Sequence, residues 1–109
     1  MDIIPSSKFL REFKKLKKKY PSLFNDVDKL TEALQANPTI GEQLGKDCYK
    51  VRMAISSKNK GKSGGARLIT CVKIVDDTIY LLSIYDKSEQ ETIPDDEIDA
   101  VLKSLGLVD

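Results

Sequence analysis

Residues 66–85, ARLITCVKIVDDTIYLLSIY, decide the fold of this chain, because two apolar segments flank a pair of adjacent aspartates. The first segment, residues 66–75, and the second, residues 78–85, are rich in β-branched or aromatic residues, as strands typically are. Asp76 and Asp77 predict a tight turn, so the two strands are expected to pair as an antiparallel hairpin. The second segment is almost entirely apolar, which predicts a strand in the centre of a sheet.

A third strand is predicted just before this hairpin. Apolar side chains there occupy every second position: Tyr49, Val51, Met53 and Ile55. A period of two indicates a half-buried strand, and it places Lys50 and Arg52 on the face opposite the apolar side chains. Residues 39–47, TIGEQLGKD, contain two glycines and are predicted to form a loop.

Two amphipathic helices precede these strands. Apolar residues recur at spacings of four and three within residues 6–19 and again within residues 22–36, which predicts two helices joined at Pro21 as an antiparallel hairpin. Lysines dominate the polar face of the first helix. A last helix is predicted to follow Pro94 and to stop at Gly106.

A short apolar run at residues 2–4 predicts an edge strand at the beginning of the chain. The order β-α-α-β-β-β-α then predicts an α+β fold. We expect one domain over residues 1–109, with an antiparallel-rich sheet of three to four strands, an N-terminal helical hairpin and a C-terminal helix. All helices are expected on one side of the sheet.

The composition argues against several kinds of chemistry. The chain contains no histidine and only two cysteines, Cys48 and Cys71, which are not in a metal-binding spacing. Zinc sites and serine or cysteine triads are therefore not expected, and no metal or cofactor is predicted. The cysteines are interpreted as core residues in a reducing compartment. No signal peptide or membrane span is recognised, which predicts a cytoplasmic protein without a membrane partner.

Charge is segregated along the chain although the formal net charge is only +1. Residues 1–20 and residues 48–85 each carry a net charge of +5, whereas residues 21–47 carry −3 and residues 86–109 carry −6. Such alternation lets a nearly neutral protein present a cationic patch to a polyanion.

The basic loop in residues 56–69, SSKNKGKSGGARLI, is the strongest candidate for binding phosphate. Lysine and arginine bind phosphates through charge-assisted hydrogen bonds, and glycines let a backbone approach a polyanion closely. The loop is not a P-loop, because the G-x-x-x-x-G-K-[ST] order is absent and a strand follows. Its lysines, Lys58, Lys60 and Lys62, are predicted to bind nucleic-acid phosphates, with an ordinary solvated turn as the alternative.

Three stretches together resemble the RelE/ParE superfamily of bacterial toxins: YKVRMA (49–54), KNKGKSGGARLI (58–69) and IYLLSIYDKSEQE (79–91). The likeness extends over nearly the whole chain and is greatest to the HigB-like, phage-derived branch. It implies a RelE-like fold and the toxin of a type II toxin-antitoxin system. The implied activity is that of a ribosome-dependent, metal-independent endoribonuclease, an mRNA interferase that cleaves messenger by attack of the ribose 2′-hydroxyl and so inhibits translation. The implied partners are an antitoxin, the ribosome and mRNA.

The resemblance also implies roles for individual residues. Lys50 and Arg52 match two basic residues of the family's first sheet strand, which transfer protons or stabilise phosphate. Arg67 matches an arginine that holds the scissile phosphate. Lys87 matches a basic residue after the last strand that offsets developing charge.

The chain departs from the family pattern at one place. Ile93 stands where a tyrosine is expected, and Tyr85 is the candidate substitute, with an ordinary aromatic residue at the end of the sheet as the alternative. Lys60 and Lys62 match an inserted loop that grips phosphates. Two alternatives stay open: a ParE-like toxin that inhibits gyrase, and a decayed member that only binds RNA or a partner.

Overall fold

The computed structural model describes residues 1–58 and 61–108. Within them lie five strands, three α-helices and one 3₁₀ turn. In chain order these are β1 (Asp2–Pro5), α1 (Ser7–Lys19), α2 (Leu23–Ala36), β2 (Glu42–Gly45), β3 (Cys48–Met53), the 3₁₀ turn (Ser56–Lys58), β4 (Ala66–Lys73), β5 (Thr78–Asp86) and α3 (Asp95–Ser104). None of the helices in these ranges combines the length and apolar character needed to cross a membrane.

The sheet is mixed and has the strand order β1-β5-β4-β3-β2. β1 pairs with β5 in parallel, and the other neighbours are antiparallel. The prediction of three to four strands was therefore wrong in number, and β1 departs from the antiparallel pattern. No tight turn joins β1 to β5, since two helices and three strands intervene, so local sequence does not fix their relative direction. The predicted edge strand at residues 2–4 is confirmed. β5 lies inside the sheet between β1 and β4, but β4 and not β5 is the central strand.

The missing strand is β2, in the segment that was predicted to be a loop. β2 and β3 form a hairpin across Lys46 and Asp47, whose φ angles of 54° and 64° suit a two-residue hairpin turn. This prediction was wrong because β2 contains four residues, one of them glycine, and shows no alternating pattern. Its position matters for the site, because Glu42 pairs with Lys50.

The connection between β4 and β5 is longer than the predicted turn. Lys73 pairs with Thr78, which leaves residues 74–77 outside the strands. Ile74 and Val75 were predicted to belong to the first strand, but they lie in this connection and are largely exposed. The predicted antiparallel pairing of the two strands is confirmed, and the predicted length of the turn is wrong.

The first face of the sheet is covered by α1 and α2. Ser6 caps the N-terminus of α1, and its hydroxyl accepts a hydrogen bond of 3.0 Å from the amide of Phe9. Phe9 and Leu16 on the apolar stripe of α1 pack in one core cluster with side chains of β3, among them Val51 and Met53. The alternation of β3 is thereby confirmed, because its apolar side chains lie on this face.

The second face of the sheet is covered by α3, so the prediction that all helices lie on one side was wrong. Ile98 and Leu102 of α3 pack with Cys48, Ile69 and Cys71 in a separate core cluster. Every residue of β4 except the last is buried, as expected for a strand with both faces covered. α3 covers the Cys48 end of β3 and leaves the opposite end of this face open.

Candidate active site

An open cleft lies at the uncovered end of the second sheet face. Its volume is about 580 Å³. Five of the eight residues predicted from the sequence line it, all of them cationic: Lys50, Arg52, Lys62, Arg67 and Lys87. They come from β3, the basic loop, β4 and the segment after β5. The structure therefore brings together cations that are distant in the sequence.

The register of the sheet explains why these side chains meet. Arg52 of β3 is paired with Arg67 of β4, which in turn is paired with Tyr85 of β5. Lys50 precedes Arg52 by two residues and so projects from the same face. Like charges directly opposite each other on neighbouring strands are destabilising. An anion bound between the two arginines would relieve this repulsion, so the arrangement is one that favours anion binding.

Arg67 is 5% exposed and is held by the backbone of the basic loop. Its Nη1 donates hydrogen bonds to the carbonyl oxygens of Lys62 at 3.0 Å and Ala66 at 3.1 Å, and its Nη2 donates to that of Ser63 at 3.4 Å. The guanidinium therefore fixes the end of the loop as well as lining the cleft.

Gly65 allows the loop to approach β3 closely. A Cβ atom at this position would lie 2.1 Å from the carbonyl oxygen of Met53, which no side chain permits. The carbonyl of Gly65 also accepts a hydrogen bond of 3.0 Å from the amide of Lys87. This contact joins the end of the loop to the segment after β5, so that Lys62 and Lys87 reach the same cleft.

Two carboxylates also line the cleft, and the sequence analysis missed them. Glu42 lies 3.8 Å from the ammonium of Lys50, and Glu91 contacts the ammonium of Lys87. The hydrogen bond from Lys87 lowers the pKa of Glu91, and the charges of Lys50 and Arg67 add to this effect. The four-residue spacing of Lys87 and Glu91 was visible in the sequence, whereas Glu42 lay in the unrecognised strand.

Lys58 is not brought into the cleft. Its ammonium lies 2.6 Å from the carboxylate of Asp86, and the two side chains are 9% and 0% exposed. It also lies 5.5 Å from the centre of the Tyr20 ring, whose hydroxyl donates a 2.6 Å hydrogen bond to Asp86. The ammonium thus has a structural role in this conformation. Lys60, also predicted to bind phosphate, lies outside the described residues.

Buried carboxylates anchor the beginning of the basic loop. Asp26 of α2 accepts hydrogen bonds from the amide and hydroxyl of Ser56 at 2.9 and 2.6 Å. Asp86 holds Lys58, two residues later. Burial alone raises the pKa of Asp86, but hydrogen bonds from Lys58, Tyr20 and Ser88 outweigh it and leave this pKa well below its usual range.

Tyr85 lies beside Arg67 but does not line the cleft. The side chain is 4% exposed, and its hydroxyl has no hydrogen-bond partner among the described residues. Burial raises the pKa of this hydroxyl. Ile93, at the place where the family resemblance implies a tyrosine, belongs to the same buried cluster as Tyr85. Neither side chain presents a surface on which a base could stack in this conformation.

The geometry can be compared with known proteins. A family model described as the RelE toxin of the RelE/RelB toxin-antitoxin system matches residues 3–107. Among solved structures, a free-state mutant of the Escherichia coli toxin RelE with two arginine-to-alanine substitutions is similar, with a TM-score of 0.61 and 20% sequence identity. The match covers 94% of this chain and 95% of that one, and it shows a common fold. No curated protein sequence matches. By the match of the family model, this chain belongs to the RelE family of toxins.

Proposed function

We propose that the protein is a toxin that cleaves messenger RNA on the ribosome, without a metal ion, and so stops translation. The observation that carries the proposal is the convergence of five cations in one open cleft on a RelE-family chain. A cleft with five cations and two carboxylates favours an anionic ligand, and RNA presents a phosphate at every nucleotide.

The proposed reaction is an in-line transfer within the RNA chain. The 2′-oxygen of a ribose forms a bond to the adjacent phosphorus, and the bond from phosphorus to the 5′-oxygen breaks. The products are a 2′,3′-cyclic phosphate and a 5′-hydroxyl. The phosphoryl oxygens gain negative charge in the transition state, so cations already placed around them lower the barrier without rearranging.

The sheet register favours a division of labour among the cations. Arg52 and Arg67 would hold the scissile phosphate between them, since they occupy paired positions on β3 and β4. Lys50 and Lys87 would exchange their carboxylate partners for phosphoryl oxygens as the RNA enters. Lys62, at the end of the basic loop, would bind a flanking phosphate.

Proton transfer requires an acceptor for the 2′-hydroxyl proton and a donor for the 5′-oxygen. We assign the acceptor to Glu91, because its carboxylate lines the cleft among the cations and is ionised at neutral pH. Lys50 and Lys87 are the candidate donors. Tyr85 is also a candidate, provided that its hydroxyl becomes accessible when RNA binds.

The proposed partners are the ribosome, its messenger and an antitoxin of the RelB type. An antitoxin that placed carboxylates in the cleft would compete directly with RNA phosphate. The inserted lysine loop further suggests the HigB-like branch of the family. We also propose a cytoplasmic location, where translating ribosomes are found.

The test is cleavage by the purified protein of messenger on translating ribosomes, with mapping of both new ends. Cyclic phosphate and 5′-hydroxyl ends are expected. Arg52→Gln should reduce the rate by about 10²–10³, as loss of one charge-stabilising group commonly does. Arg52 suits this test better than Arg67, because its side chain is exposed and does not hold the loop. Lys103→Gln, on the exposed surface of α3, is the control.

The results of these assays distinguish an mRNA-cleaving toxin from the two alternative functions, a gyrase inhibitor and an inactive RNA-binding protein. Normal cleavage by the folded Arg52→Gln protein would exclude the assigned site. Expression that induces a DNA-damage response without arrest of translation would favour a gyrase inhibitor. A folded protein that binds ribosomes and leaves messenger intact would indicate a member that has lost catalysis.

A further inference from the structure

A second cationic surface lies on α1, the helix whose apolar side packs on the first face of the sheet. It consists of Arg11, Lys14, Lys15 and Lys18, which we call the α1 basic face. The spacings of three and four residues align these side chains on one face of the helix, and all four are exposed. This face points away from the sheet, because Phe9 and Leu16 on the other side of α1 are buried in the core.

Carboxylates in the described part of the chain do not neutralise the cations of the α1 basic face. None of its four cations forms an ion pair with a carboxylate in residues 1–58 or 61–108. The neighbouring cations of the helix differ in this respect, since Lys8 pairs with Glu12 and Lys19 pairs with Glu89. The positive charge of this face is therefore available to an external partner.

The arrangement destabilises the helix that carries it. Like charges three or four residues apart on a helix repel each other, and this face contains four such pairs. The first turn of α1 has no acidic residue, and of the four cations only Lys18 lies in the last turn, where the helix dipole favours a cation. A bound polyanion would remove the repulsion, so this surface has the charge expected of a polyanion-binding site.

We propose that the α1 basic face binds the phosphate backbone of double-stranded RNA. Double-stranded RNA is recognised mainly by shape and by contacts to phosphate and 2′-hydroxyl groups, which a rigid helix with projecting cations can provide. Single-stranded RNA is bound largely by stacking on aromatic side chains, and the face has none. A membrane surface would require a continuous apolar side exposed on the helix, but Phe9 and Leu16 are buried in the core, which leaves Leu10 as the exposed apolar side chain of α1.

The surface is separate from the cleft but close to one of its walls. The ammonium of Lys19, at the end of α1, lies 3.0 Å from the carboxylate of Glu89. Glu89 belongs to the segment between β5 and α3, which also contributes Lys87 and Glu91 to the cleft. A structured RNA particle that contacts α1 therefore reaches the same end of the molecule where the cleft opens.

The experiment measures binding of a short, labelled RNA duplex to the full-length protein over a range of salt concentrations. The variant is Lys14→Gln/Lys18→Gln, which keeps good helix formers and removes two charges. The matched control is Lys29→Gln/Lys103→Gln, which removes two exposed lysines elsewhere. Circular dichroism establishes that both variants are folded.

We expect the α1 variant to bind the duplex about tenfold more weakly at low salt, as two lost exposed ion contacts allow. The slope of log affinity against log salt should become shallower by about 2, roughly 1 for each lost phosphate contact. The control should bind as the wild type does. The same decrease in slope is expected when Lys14→Gln/Lys18→Gln is made in an Arg52→Gln background, so this inference holds or fails independently of the activity proposed for the cleft.

Several results would overturn the inference. Unchanged duplex binding by the α1 variant would exclude the face. An equal loss of duplex binding in the control would show that the loss follows from the lower net charge and not from the α1 basic face. Equally tight binding of a single strand of the same composition, with the same loss in the variant, would contradict recognition of duplex. A loss of binding to anionic lipid vesicles, with duplex binding unchanged, would assign the face to a membrane.

Discussion

Arg52 and Arg67 occupy directly paired positions on β3 and β4, so two positively charged side chains lie on the same face across neighbouring strands. The two side chains differ in their surroundings. Arg52 is exposed in the cleft, whereas Arg67 is held by hydrogen bonds to backbone carbonyls of the basic loop. Repulsion across such a pair opposes folding unless an anion lies between the side chains. This relationship leads to the first prediction.

Arg52→Gln should stabilise the protein in a buffer without multivalent anions. The expected gain in the free energy of unfolding is about 0.2–1 kcal/mol, the range for cross-strand pairs. Inorganic phosphate should raise the melting temperature of the wild type more than that of the variant, because the paired arginines form the anion site. Denaturant and thermal unfolding with and without phosphate measure both effects. Equal responses to phosphate would argue against an anion site at this pair.

Gly65→Ala should destabilise the protein by about 1–3 kcal/mol, as overpacking of a closely packed site does. The added Cβ atom would clash with the carbonyl of Met53, and the loop would have to move away from β3. Cleavage should fall as well, because Lys62 would be displaced. Ser63→Ala, on the exposed part of the same loop, is the control in unfolding and cleavage assays. Wild-type stability of Gly65→Ala would contradict the close packing.

Asp86→Asn should remove a pH-dependent part of the stability. The folded-state pKa of Asp86 lies below its unfolded value, so the carboxylate stabilises the fold above the unfolded pKa of about 3.9. This contribution decreases as the pH falls below that value. At pH 7 the variant should lose about 3–5 kcal/mol, because Lys58 is left buried without its partner.

The measurement is the free energy of unfolding of the wild type and Asp86→Asn between pH 7 and pH 3. The difference in the free energy of unfolding between the two proteins should become smaller as the pH approaches 3. Asp76→Asn, at an exposed position, should follow the wild type throughout. A difference that is constant with pH would show that the charge of Asp86 is not the source of the stabilisation.

Glu91→Gln should separate RNA binding from cleavage. The substitution releases Lys87 from its carboxylate partner and removes a negative charge from the cleft, so RNA should bind more tightly. Cleavage should nevertheless slow by about 10²–10⁴, the usual contribution of a general base. Single-turnover cleavage and equilibrium binding measure the two effects. Glu89→Gln, outside the cleft lining, is the control.

Tighter binding with an unchanged cleavage rate would contradict the role given to Glu91. The carboxylate would then be only a competitor for Lys87. The same pair of assays on Glu42→Gln would next test the other carboxylate in the cleft.

The sequence by itself determined the local structure and the chemistry that the chain can offer. Periodicity placed α1, α2, α3 and the half-buried β3, because these patterns depend on neighbouring residues. The absence of histidine left lysine and arginine as the candidate functional side chains. Three sequence stretches indicated the RelE family, which the family model confirms, whereas the HigB-like branch stays a prediction. Lys50 and Arg52 were placed on the correct face for the same reason, since alternation along a strand is local.

Only the tertiary structure decided which of these cations act together. Lys58 and Lys62 are four residues apart in one basic loop, yet Lys58 pairs with a buried carboxylate while Lys62 lines the cleft. The partner of Lys58, Asp86, is 28 residues away, and no local pattern encodes that contact. Local sequence patterns also did not predict the parallel pairing of β1 with β5 or the presence of β2, which places Glu42 beside Lys50. Contacts between distant segments, and the burial that they impose, bring cations from a basic sequence together in one cleft.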